Sequence, residues 1–298
     1  MNRRWMYYAG LVFVSIVWGA NFGVSRLAME TFDPILFTTL RFGLSVPFFL
    51  FILWLTEGSI GLPLKVLARL AVIGLVGVTI LEIAVMYSIK YTTLANASLL
   101  NVAPWPIFAA LFAPLFTTER ITRRLAVGGA IAAVGVTLVI LGGGGIDLSV
   151  QHMVGNGLAL FVSIIGALFN LACMPLMKTY SALRISTWYI VFGSLFMLPF
   201  TWGSWSKVEW TMLGAGEYTA IVYNVLICTV AAFVIWNASM YKVGAARANF
   251  FRYVVPAAAA VVGFAWFGEQ IAWLQIAGAL FMTGGLIWIT RERGTSAG

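Results

Sequence analysis

Charge is what this chain has least of. Lys, Arg, Asp and Glu make up 9% of its 298 residues, where a soluble domain carries about 25%. Histidine occurs once, as His152, and cysteine twice, as Cys173 and Cys228. A lone His excludes a His-paired metal site. The two cysteines fall in separate apolar runs and suggest neither a disulfide framework nor a metal motif. There are no adjacent Asp residues and no Ser–His couple, which leaves general acid–base or nucleophilic catalysis without its usual groups. No metal or cofactor is expected. What fills the chain instead is apolar: 61% of residues are hydrophobic, against about 45–50% in soluble domains. No soluble core hides that much apolar surface, so the solvent is lipid. The net charge of +8 does not indicate nucleic acid, because the basic residues separate apolar segments rather than line one face; they report topology.

Apolar runs of about 20 residues are candidate membrane helices. The chain offers them at roughly 6–27, 34–55, 67–89, 95–117, 124–142, 154–176, 185–205, 216–240, 246–267 and 271–290. Turn and charge signals separate them, among them Asp33-Pro34, Glu57-Gly58-Ser59, Glu119-Arg120 and Gly142 to Gly145. With both ends cytoplasmic, the outside connections hold only Arg26, Lys90 and Lys207, and the remaining loop cations, from Arg3 and Arg4 to Arg291 and Arg293, are inside.

The chain also repeats itself. Tyr91, Ala95, Pro106, Glu119, Gly128 and Gly135 recur as Tyr241, Ala245, Pro256, Glu269, Gly278 and Gly285, an offset of 150. Phe13-Val14-Ser15-Ile16 recurs as Phe161-Val162-Ser163-Ile164, an offset of 148. Because its apolar stretch is one of these copies, the N-terminus is expected to be a structural helix rather than a cleaved signal. An odd number of helices per copy inverts the second half. The expected fold is an all-α polytopic membrane protein of ten transmembrane helices in two inverted five-helix repeats, 1–148 and 149–298, forming one membrane domain. Many secondary transporters are built this way, with the substrate bound where the halves meet.

A proline about thirteen residues before a glutamate, Pro106 to Glu119 and Pro256 to Glu269, each followed by a Gly-rich helix, resembles the drug/metabolite transporter superfamily. The opening Val17-Trp18-Gly19-Ala20-Asn21-Phe22 is similar to the first helix of its EamA family. The resemblance covers nearly the whole chain. It implies a small-metabolite exporter of the bacterial inner membrane with a cavity between the halves, closest to the branch that exports aromatic and neutral amino acids.

Intramembrane charges are candidate functional groups. Arg41 and Glu82 lie at similar depth and are able to pair, either as a structural ion pair or as a substrate-responsive one. Arg252 either snorkels to the cytoplasmic interface or reaches the cavity to meet a carboxylate. Uncharged polar and aromatic residues sketch the cavity further. Trp18, Phe22 and their neighbour Asn21 stripe the first helix, and Ser98, Asn101 and Trp105 the fourth. Tyr87, Ser163, Asn170, Trp236, Asn237, Asn249 and Tyr253 come from the third, sixth, eighth and ninth. Each Asn taken singly reads first as glue between helices, and each aromatic as core or interfacial belt. Together with Glu82 they outline an apolar, aromatic site with a few placed polar groups. It suits a zwitterion with an apolar side chain and not a phosphorylated dianion, which wants several cations. Pro106 and Pro256 are either paired hinges or static kinks. The glycine and alanine faces of the fifth and tenth helices serve either packing within the chain or a homodimer. A carrier of small molecules in the lipid bilayer, working by alternating access, is therefore expected. Exporters of a nucleobase, sugar or cationic drug are the alternatives within transport, and a polytopic enzyme or a channel the alternatives outside it.

Overall fold

A computed structural model describes residues 4–116, 123–142, 149–243, 248 and 251–290. The expectations attached to Glu119, Arg120, Ala245, Arg247 and Asn249 lie outside them. Secondary structure among the described residues is helical throughout: α1 Arg4–Ala28, α2 Pro34–Glu57, α3 Leu64–Tyr91, α4 Leu94–Phe116, α5 Arg123–Gly142, α6 Val150–Met177, α7 Ala182–Thr201, α8 Ala215–Met240, α9 Val254–Phe267 and α10 Trp273–Thr290. Seven of these, α1 to α4 and α6 to α8, are long and apolar enough to cross a membrane, and Ala126–Gly142 and α9 are shorter apolar helices.

Local chemistry sets the boundaries. Asp33 caps α2, its Oδ1 accepting from the Ile35 and Leu36 amides at 3.0 and 3.3 Å, and Pro34 occupies the first turn, where no amide partner is needed. Gly58 ends the same helix at φ 68°, and Gly268 ends α9 at φ 65°, the left-handed stop that glycine takes without strain. Thr93, Ser149 and Ser181 cap α4, α6 and α7.

Three helices are irregular. α3 carries a π-helical segment at Leu75–Ile80 and α8 another at Tyr223–Ala231; their first residues are 148 apart, the offset of the N-terminal sequence repeat. α4 breaks after Val102. Pro104 has no amide hydrogen, so the Leu100 carbonyl loses its donor, and the helix resumes at Trp105 with the Ile107 and Phe108 amides both donating to the Pro104 carbonyl at 3.0 Å. α9 starts after a turn at Arg252–Tyr253, where the Val255 amide donates to the Arg252 carbonyl at 3.0 Å. Pro106 and Pro256 therefore lie just beyond a break, in the first turn of the resumed helix.

α1 packs on α8 and α9, and α6 on α3 and α4. α2 packs on α7 and α8, and α7 also on α3. α4 meets α9, and the most extensive contact joins α5 to α10. There Gly135 lies against Gly278 and Gly285 against Gly128, so close that a Cβ on Gly135 or Gly285 would stand 2.5–2.6 Å from the facing carbonyl. The small-residue faces are thus used within the chain. Rising numbers on one helix meet falling numbers on the other, so the pair is antiparallel. The largest buried cluster gathers Phe22, Phe37, Met86, Leu94, Trp105 and Val255 from α1, α2, α3, α4 and α9. Outside, Trp54, Trp202 and Trp273 are exposed at helix ends, where a bilayer places its interfacial aromatics.

Candidate functional site

The centre of the bundle is an aromatic cluster around one cation. Trp18 of α1 donates its Nε1–H to the Cys228 carbonyl at 3.1 Å, a carbonyl of the π segment of α8. Its ring centroid is 5.0 Å from that of Trp236 and 5.9 Å from that of Phe233. The Arg252 guanidinium stands 4.2 Å from the Trp105 ring centroid and 5.9 Å from that of Trp18. It therefore turns inward between two indoles rather than along the helix toward an interface. Trp105 can take its place because α6 presents Gly166: a Cβ there would lie 2.2 Å from the ring.

Two buried donors of this cluster, Arg252 Nε and Trp105 Nε1, have no partner among the described residues, nor do Asn237 Nδ2, next to Trp236 on α8, and Asn21 Oδ1, one turn beyond Trp18; Ser25 Oγ, Asn156 Nδ2 and Asn224 Oδ1 are likewise unpartnered but lie elsewhere. Most buried polar groups in proteins are paired, so the unfilled donors against the indoles point to groups that a solute would satisfy.

The other buried charges are satisfied internally. Arg41 and Glu82 pair at 3.3 Å, with side chains 6% and 17% exposed. Arg41 Nε also donates to Thr229 Oγ1 at 2.9 Å, and Nη2 lies 3.6 Å from Cys228 Sγ. The Thr229 hydroxyl in turn donates to the Asn224 carbonyl five residues back, within the π segment, and the Tyr223 hydroxyl donates to the Val17 carbonyl at 2.8 Å. The pair is thereby tied to the backbone that holds Trp18.

The break in α4 is repaired by side chains from the second half of the chain. Ser163 donates to the freed Leu100 carbonyl at 2.8 Å and touches that of Asn101. The Tyr253 hydroxyl donates to the Ala103 carbonyl at 3.2 Å. Asn101 is buried beside this repair. Among the other expected site residues, Phe22 is core, and Ser98 spends its hydroxyl on the Ala95 carbonyl of its own helix. Tyr87 lies against Tyr91, with its ring 5.9 Å from Lys90 Nζ. Asn170 is half-buried on α6 next to Phe169, whose ring meets Tyr189 edge-on. The aromatic cluster thus joins Trp18, Trp105 and Trp236 to Arg252.

Two clusters at the end of the bundle away from the N-terminus escaped the sequence reading. Arg26 at the end of α1 pairs with Glu269 after α9, and its Nη2 donates to the Ile89 carbonyl at 2.7 Å and to that of Thr92. Glu269 also accepts from the Leu94 amide at the start of α4, at 2.9 and 3.0 Å. His152, expected in a connection, is instead buried in the first turn of α6. It lies 3.2 Å from Thr92 Oγ1 in a network with Asn156, Asn96 and Gln275. Arg26, a loop charge by its sequence position, is in the last turn of α1. The recurrence of Glu119 at Glu269 was the available signal for its partner. Among the described residues no group of three or more His, Cys, Asp and Glu is placed to hold a metal ion.

Long apolar helices around an aromatic, sparsely charged centre with unfilled hydrogen-bonding groups are the architecture of a membrane carrier. The comparisons agree: the chain belongs to the EamA-like transporter family, which matches residues 5–141 and again 153–291. A transporter of Bacillus subtilis, YetK, of uncharacterised activity, is 27% identical over 281 residues, covering 94% of this chain and 85% of the relative. A probable terminal-alkyne amino-acid exporter of Streptantibioticus cattleyicolor is 25% identical, over 76% of this chain and 74% of its own. A solved crystal structure superposes with a TM-score of 0.65 at 16% identity, covering 94% of this chain and 95% of the other; that likeness concerns the fold alone. The chain is a multi-pass membrane transporter of small molecules, not an enzyme.

Proposed function

We propose that this chain exports neutral and aromatic amino acids across the bacterial inner membrane by alternating access, with both termini cytoplasmic. The observation that carries the reading is the central cluster of Trp18, Trp105, Trp236 and Arg252, contributed by α1 and α4 of one half and α8 and the start of α9 of the other. Such a site is apolar enough for a branched or aromatic side chain and polar enough to orient a zwitterion. The relative described as a probable amino-acid exporter supports the substrate class.

Two inverted repeats of five transmembrane helices are the frame of the mechanism. In support, the helix contacts keep their pattern when the halves exchange: α1 on α8 and α9 becomes α6 on α3 and α4, and α2 on α8 becomes α7 on α3. The Gly128–Gly285 and Gly135–Gly278 contacts exchange in the same way, and the Tyr253–Ala103 bond joins positions 150 residues apart. A two-fold axis that swaps the antiparallel α5 and α10 lies across them, in the membrane plane. The bias of cations toward one side supports the orientation. On that orientation Arg26, Glu269 and the His152 network lie outside, where they draw α1, α4, α6, α9 and α10 together. They close the outer end, leaving the site to be reached from the cytoplasm.

The test is counterflow of labelled neutral and aromatic amino acids in proteoliposomes, with Trp18→Ala and Asn101→Ala beside the parent. Saturable exchange is expected, with KM for phenylalanine raised at least about tenfold in Trp18→Ala, since aromatic contact and a hydrogen bond are lost together. Absence of exchange with every amino acid would discard the substrate assignment and turn the search to nucleobases, sugars and cationic drugs.

A further inference from the structure

We propose that Arg252 anchors a carboxylate of the transported solute, so that the site selects acids and zwitterions over the matching amides and amines. The proposal rests on the carrier reading above and names what its central site recognises.

Three observations lead to it. First, Arg252 pairs with no carboxylate among the described residues, and its Nε is buried and unpartnered. The indoles of Trp105 and Trp18 offset part of the desolvation of a guanidinium, by about 0.5–2 kcal/mol, but neither accepts its N–H bonds as an oxygen would. Second, the unfilled atoms at the cluster and beside it are mostly donors. Arg252 Nε at the start of α9, Trp105 Nε1 on α4 and Asn237 Nδ2 on α8 are all donors. A ligand there must bring acceptors. Asn21 Oδ1, an acceptor, lies on α1 one turn beyond Trp18, about 4.5 Å along the axis, where an amino group would complete a zwitterion. Third, the cluster holds a single cation. Arg41 is neutralised by Glu82, so one negative charge is matched and a phosphate dianion is not. The indoles of Trp18 and Trp236, tilted against each other with centroids 5.0 Å apart, then wall the side chain.

The experiment measures exchange in proteoliposomes with three solutes sharing one ring: L-phenylalanine, L-phenylalaninamide and 3-phenylpropanoate. The parent is expected to prefer phenylalanine over its amide by at least about tenfold, as a charge-assisted hydrogen bond gives. Arg252→Gln should bring that ratio close to one while still exchanging the amide, which a purely structural role would not do. An unchanged ratio in Arg252→Gln overturns the proposal. If Arg252→Gln is not folded by gel filtration, Arg252→Lys carries the test: loss of the fork geometry must lower the ratio severalfold, and an unchanged ratio again overturns it. A parent that moves no amino acid but exchanges 3-phenylpropanoate in an Arg252-dependent way removes the amino-acid assignment and leaves the anchor standing. A parent indifferent to the carboxylate removes the anchor and leaves the carrier.

Discussion

Arg41 and Arg252 are the same side chain housed in two ways. Arg41 has a carboxylate, a hydroxyl and a sulfur around it, whereas Arg252 has two aromatic faces and an unfilled Nε. The first arrangement is complete without a ligand, so Glu82 is best understood as Arg41's counter-ion. Glu82→Gln should destabilise the fold by about 3–5 kcal/mol, because it strands a buried charge, and removing Arg41 as well should restore much of the loss. Thermal unfolding in detergent of the single and double variants measures both. Ser163→Ala leaves the Leu100 carbonyl of the α4 break without its donor and should cost about 1–3 kcal/mol by the same measurement. The equal depth of Arg41 and Glu82 was readable from spacing alone, since a helix converts residue number into depth. The rotamer of Arg252 was not. Its direction is decided by Trp18 and Trp105, far away in sequence, and by the space that Gly166 leaves for the second ring.

At the scale of elements, the breaks in α4 and before α9 occupy corresponding places in the two halves, each followed by the repeated proline. Such breaks free backbone carbonyls beside the site, and those of α4 are held by Ser163 and Tyr253 from the opposite half. In the alternating-access mechanism proposed above, bonds of this kind would exchange partners, which is the ground for proposing hinges rather than static kinks. Pro106→Ala and Pro256→Ala should each leave folding intact and KM little changed while lowering the exchange rate severalfold; unchanged rates in both would remove the hinge role. Helix positions were largely legible, because apolar length and caps act locally: α2, expected at 34–55, runs Pro34–Glu57 between the Asp33 and Gly58 signals. α7, expected at 185–205, is Ala182–Thr201, since Ser181 caps it early and the chain turns at Trp202. The π segments had no such signal. The first is held across helices, where Thr79 donates to the Gly193 carbonyl, a contact that no local pattern announces.

For the whole molecule, the duplication in sequence has a counterpart in the exchange of contacts between halves, and the departures from equivalence are where chemistry concentrates. Arg252 stands where the first half has Val102, and Trp105 where the second has Val255. The cluster proposed to close the outer end was illegible for a general reason: Arg26, Thr92, Leu94 and Glu269 meet only once four helix ends converge. That closure offers the most direct test of alternating access. A Cβ on Gly263 of α9 would stand 3.5 Å from that of Leu94 on α4, within disulfide range, and 2.7 Å from Glu269 Oε2, so the cysteine shifts that carboxylate and Gly263→Ala serves as its control. In a background with Cys173 and Cys228 replaced by alanine, Leu94→Cys with Gly263→Cys should exchange amino acids when reduced, lose exchange when oxidised, and regain it with reductant. Exchange that continues at the reduced rate in fully cross-linked protein would contradict a carrier whose outer end must open.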